Sequence, residues 1–83
     1  MLADSTTKMS HLPNKFGWIK TASTKWKHLK YKNVFLEKQL GAGVLNPYLL
    51  YIGKFEGRYF YPKKEIKFIN CQLDALLIAE KYN

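Results

Sequence analysis

Residues 33–64 constrain the fold more than any other part of the chain. They hold three strand-like runs, NVFLEKQL (33–40), YLLYIGKF (48–55) and RYFYPKK (58–64), separated by GAGVLNP and by Glu56-Gly57. In the first run Val34, Leu36, Lys38 and Leu40 share one face and Phe35, Glu37 and Gln39 the other, the period of two of a half-buried strand. The second run is apolar on both faces, with Tyr48, Leu50 and Ile52 opposite Leu49, Tyr51 and Phe55, as suits a central strand. Glu56-Gly57 reads as a two-residue hairpin turn with a positive φ at Gly57. That turn pairs Phe55 with Arg58 and Lys54 with Tyr59, so Tyr59 and Tyr61 join Ile52 while Arg58 and Phe60 join Tyr51. Pro62 cannot donate to a ladder, which places the third run at an edge or ends it there.

A helix is expected over residues 71–81, with Asn70 as its N-cap. Leu73, Leu76 and Leu77 form its i, i+3, i+4 stripe, and Ala75, Ile78 and Ala79 extend the apolar surface around it. The expected architecture is α+β: a three-stranded antiparallel β-meander packed on one C-terminal α-helix, preceded by an extended basic arm. The arm is residues 1–32 and the domain residues 33–83.

Charge divides along the same line. The chain of 83 residues carries a net +8. Residues 1–32 hold seven lysines and one acid, a net +6, against +2 for the remainder. A basic extension on a nearly balanced domain is an electrostatic footprint for polyanions, or else a solvated tail. Within it, FGWIKTASTKWKHLKYK (16–32) interleaves Phe16, Trp18, Trp26, Leu29 and Tyr31 with six lysines counted from Lys15. Lysines neutralise phosphates and aromatic rings stack on exposed bases. The alternative is that Trp18 and Trp26 cover an edge of the small sheet. The candidate nucleic-acid contacts are Lys15, Lys20, Lys25, Trp26, Lys27, Lys30, Lys32, Arg58, Lys63 and Lys64. Trp18, Phe35, Tyr51, Phe60 and Ile78 are the candidates for packing against a partner.

Other classes find little support. The single cysteine, Cys71, forms no internal disulfide or cysteine-based zinc site and reads as a small core residue. His11 and His28 are far apart with no acid at ligand spacing, so neither a metal nor a cofactor is expected. No nucleophile–base pair or paired carboxylates suggest an enzyme. No apolar run reaches the ~18 residues of a membrane span. The N-terminus, with Asp4 and no apolar core, does not resemble a secretory signal.

The run KYKNVFLEK (30–38) resembles the opening strand of the ethylene-response-factor, or Apetala-two, DNA-binding domain, and the order strand, strand, strand, helix extends the likeness over residues 30–82. The resemblance implies a three-stranded sheet whose outer face enters the DNA major groove. Several positions depart from the family pattern. Asn33 stands for the usual glycine, and residues 41–47 replace a basic segment. The base-reading positions, typically arginine, are Phe35 and Glu37 on the first strand and Leu49 and Tyr51 on the second. Arg58 is the sole arginine, so bidentate guanine reading is nearly absent.

The expected function is therefore a non-catalytic nucleic-acid-binding structural protein, an rRNA-binding subunit of a ribosome, with a mitochondrial one favoured. The rRNA and neighbouring protein subunits would be its partners. The alternatives are a sequence-specific DNA-binding domain of a nuclear transcription regulator and an accessory protein-interaction subunit of a large organellar complex.

Overall fold

The structure, a computed structural model, describes residues 12–41 and 43–83. Residues 1–11, and with them the first part of the expected arm, lie outside the described residues. Among the described residues five strands, β1 (Trp18–Ala22), β2 (Lys25–His28), β3 (Val34–Lys38), β4 (Tyr48–Glu56) and β5 (Tyr59–Ile69), precede one helix, α1 (Gln72–Lys81). The strands pair in chain order, β1-β2-β3-β4-β5, in a single antiparallel sheet.

The three-stranded meander with an extended arm is thus overturned: the sheet has five strands, although the class remains α+β. The three expected runs are β3, β4 and β5. The two further strands come from the arm, and the sheet crosses the expected boundary at residues 32 and 33. The physical reason lies in the run Lys25-Trp26-Lys27-His28. Its lysines are exposed and Trp26 and His28 buried, so the interleaved charge is the solvent half of a strand alternation. Asn14 fixes the entry to β1. Its side-chain oxygen accepts from the backbone N–H groups of Phe16 (2.9 Å) and Trp18 (3.0 Å).

The core lies between the sheet and α1. Val34, Leu36 and Leu50 are fully buried, together with Trp18, and pack with Trp26, Tyr31 and Ile69 against Ala75 and Ala79 of the helix. Two alanines at i and i+4 let the helix approach the sheet closely. That contact splits the expected stripe: Leu76 packs against the core as expected, while Leu73 and Leu77 turn outward, 42% and 49% exposed. Ile78, expected to face a partner, packs partly buried against the chain's own core. The N-cap is Cys71 rather than Asn70, and it makes no side-chain capping bond. Cys71 is exposed, so it is not the core residue expected.

The hairpin between β4 and β5 also differs by one residue from expectation. Phe55 pairs with Phe60 and Glu56 with Tyr59, leaving Gly57-Arg58 as the loop. Gly57, at φ 66, takes the first central position, which a type II′ turn reserves for glycine. β5 continues well past Pro62, through two register shifts. At the first of them, Gly53 opposes Pro62 so closely that a Cβ there would lie 2.8 Å from the Pro62 Cα. At the second, Phe68 adopts a left-handed conformation (φ 63) and stands 78% exposed. Pro62 itself lies on the edge strand, where its missing N–H leaves no interior ladder bond unmade.

Candidate nucleic-acid interface

One face of the sheet packs on α1. The register fixes what the opposite face presents. Ile19, Lys27, Phe35, Tyr51 and Glu65 form one row of cross-strand neighbours, and Lys25, Glu37 and Leu49 form the next. At the β4–β5 end Phe55 and Phe60 complete an aromatic cluster with Phe35. Phe35 and Phe60 stack at 5.6 Å, and Phe55 lies edge-on to Phe60 at 4.8 Å. The Tyr51 hydroxyl donates to Glu37 Oε1 at 3.2 Å. Burial and then the Glu37 carboxylate push the Tyr51 phenol above its ordinary value of 10.0. Tyr51 is therefore a neutral donor on this face.

The expected contact residues divide by location. Lys27, Lys32 and Arg58 line one hollow of about 460 Å³ with Thr21, His28, Phe35, Phe55 and Gly57. Among the described residues no carboxylate lines it. Lys25 lies on the same face, opposite Glu37. Lys20, Lys30 and Lys64 are elsewhere, each over an aromatic ring: Trp26 at 5.8 Å, Tyr31 at 5.4 Å and Tyr82 at 5.1 Å. Lys15 sits over Phe16 at 5.1 Å, and Lys63 borders a smaller hollow beside Tyr51 and Pro62.

Two expected contacts are withdrawn by burial. Trp18, at 1% exposure, and Trp26, at 8%, belong to the chain's own core and offer no ring to a base or a partner. The Trp18 indole N–H donates to the Gln72 carbonyl at 3.1 Å, tying β1 to the start of α1. Phe55 is the functional candidate missed by the sequence reading. The wrong hairpin register paired it with Arg58, which hid its place beside Phe60.

His28 holds the backbone behind the hollow. Its Nε2–H donates to the Phe16 carbonyl at 2.8 Å, while Nδ1 accepts from the N–H groups of Lys30 (3.0 Å) and Tyr31 (3.2 Å). The ring stacks on Tyr31 at 4.9 Å and meets Trp18 edge-on at 4.7 Å. These bonds require the neutral ring, because a proton on Nδ1 would face two N–H donors. Burial lowers its pKa below the ordinary 6.5. The bond to Phe16 opposes the shift, and Lys32 and Lys30 reinforce it. Both ring nitrogens are thus committed to structure.

Among the described residues no cluster of His, Cys, Asp or Glu could hold a metal ion, and no helix is long and apolar enough to cross a membrane. No family model, curated protein or solved structure matches the chain.

Proposed function

We propose that this chain is a non-catalytic structural protein that binds RNA across the open face of its sheet, as a subunit of a ribonucleoprotein particle. The observation that carries the reading is the joining of Lys27, Lys32 and Arg58 to Phe35 and Phe55 around a hollow that no carboxylate lines among the described residues. Cations without local counter-charge attract a phosphate backbone, and sheet-borne aromatic rings suit unstacked bases. The net charge of +8 supplies the long-range attraction. Reading of duplex DNA by sequence is less well supported, since the sole arginine sits in a hairpin loop instead of in a row on the sheet.

The other side of the molecule favours a protein neighbour. Phe68, Leu73 and Leu77 are exposed there, at 78%, 42% and 49%. A protein with RNA on one face and a neighbouring subunit on the other fits a large particle, and a ribosome is the favoured one. The test is fluorescence anisotropy with a short labelled single-stranded RNA at 50 and 200 mM salt. Neutralising about three or four phosphates gives a slope of log affinity against log salt of about −2 to −3, a loss of roughly 20- to 50-fold. Absence of binding to any RNA or DNA at the lower salt would sink the proposal. Co-sedimentation with ribosomal particles that RNase treatment leaves intact would favour a protein-held subunit in place of an RNA-held one.

A further inference from the structure

We infer that the hollow between the β1–β2 hairpin and the tip of β4–β5 seats one unpaired nucleotide, its base against Phe55 and Phe35 and its phosphate among Lys27, Lys32 and Arg58. This deepens the RNA-binding reading and rests on it. The walls separate by chemistry. The apolar wall is Phe55, whose ring stands 71° to that of Phe35 at 6.3 Å, so the two form a corner instead of a flat plate. The polar wall is the three cations, with Thr21 beside them. A volume of about 460 Å³ lies within the range of small-molecule sites.

The floor is fixed before any ligand arrives. His28 borders the hollow, but its ring is turned to the core against Trp18 and Tyr31, with its nitrogens already bonded to Phe16, Lys30 and Tyr31. It therefore sets the path of the chain towards Lys32 without competing for the ligand. Gly57, at the tip, has no side chain to close the opening, and a Cβ there would meet nothing within 4 Å. A paired base presents its edge, not its face, and stays stacked inside its helix. The corner accordingly selects a nucleotide that is out of a duplex, with recognition by ring face and phosphate and little dependence on base identity.

The experiment uses the full chain with single-stranded RNA carrying 2-aminopurine, with the duplex of the same sequence, and with adenosine 5′-monophosphate and inorganic phosphate as small probes. The single strand is expected to bind about tenfold more tightly than the duplex and to show altered 2-aminopurine emission on binding. Phe55→Ala is expected to abolish that change and weaken binding about 5- to 150-fold, the range for loss of one stacked base. Phe55→Tyr should restore it. Lys27→Gln combined with Arg58→Gln should reduce the salt slope by about 1.4, as two phosphate contacts would. Lys20→Gln with Lys64→Gln, on the helix side of the sheet, should leave the 2-aminopurine change intact. The monophosphate should shift amide resonances around Thr21, Lys32 and Gly57 more strongly than phosphate does. Equal binding of single strand and duplex would overturn the inference while leaving RNA binding standing, as would an equal loss in both lysine-containing double variants. Failure to bind any nucleic acid would instead remove the parent proposal. Circular dichroism of each variant separates loss of the site from loss of the fold.

Discussion

Replacing Trp18 by alanine tests whether the first two strands are part of the domain. Trp18 is 1% exposed, touches His28 edge-on, and donates its indole N–H to the Gln72 carbonyl of the helix start. Truncating a buried aromatic of this size costs about 3–5 kcal/mol. A domain of 83 residues has only about 4–12 kcal/mol of stability in total. Trp18→Ala is therefore expected to remove from about a quarter to all of that stability. Trp18→Phe keeps most of the ring but strands the Gln72 carbonyl, a loss of about 1–3 kcal/mol. With a urea dependence near 1 kcal/mol per molar, the Phe variant's midpoint should fall by about 1–3 M. The assay is urea unfolding followed by far-ultraviolet circular dichroism, with Trp26 as an internal fluorescent probe. A detached arm would make both substitutions neutral within about 0.5 kcal/mol. A Trp18→Ala variant with an unchanged spectrum and a loss below about 1 kcal/mol would refute the five-stranded core.

Two further outcomes concern stability. The His28 pKa is lowered in the folded chain, so below 6.5 the unfolded state binds the proton first. Stability is then complete above pH 6.5 and is lost as pH falls from there towards the folded-state value, at no more than about 1.4 kcal/mol per pH unit. His28→Gln should be less stable at pH 7.5 and show a flatter dependence between pH 7.5 and 5.5; equal slopes in both proteins would exclude His28 as the source. Gly53→Ala drives a Cβ into the backbone of Tyr61 and Pro62, which cannot rotate away. It should cost about 1–3 kcal/mol and speed amide exchange at the β4–β5 tip; a variant as stable as the parent would contradict the close pairing there.

What was readable in the sequence followed the side-chain period. The runs that became β3 and β4 alternate or are wholly apolar, and Phe35 and Phe60 were rightly placed on one face. β1 and β2 are hard to see in the sequence because the lysines of Lys25-Trp26-Lys27 dominate its character, whereas the buried tryptophan fixes the strand. β5 was cut short at Pro62 because two irregularities break its alternation beyond that point, which no local rule anticipates. The hairpin slipped by one residue because Gly57 suits either central position of a primed turn, and only cross-strand packing of Phe55 on Phe60 decides between them. Of the site, the lysines were legible one by one. Their division between two sides of the sheet was not, since it depends on strands the sequence reading lacked.

The order of the sheet has a consequence for how the chain acquires its structure. Every strand pairs with its immediate predecessor, so the ladder can grow hairpin by hairpin with short closures, a topology that favours fast folding. The side-chain hydrogen bonds that span the most sequence reach the C-terminal segment: Trp18 to Gln72, Tyr31 to Glu80 (3.2 Å) and Asn33 to Tyr82 (3.3 Å). Without these ties the sheet would be a stack of separable hairpins, free to fray from the β1 edge. With them, docking of the helix makes loss of the first strand and loss of the last element a single event. The helix thereby acts as a cooperativity clasp, and its docking is the step at which a zippering ribbon becomes an all-or-none domain.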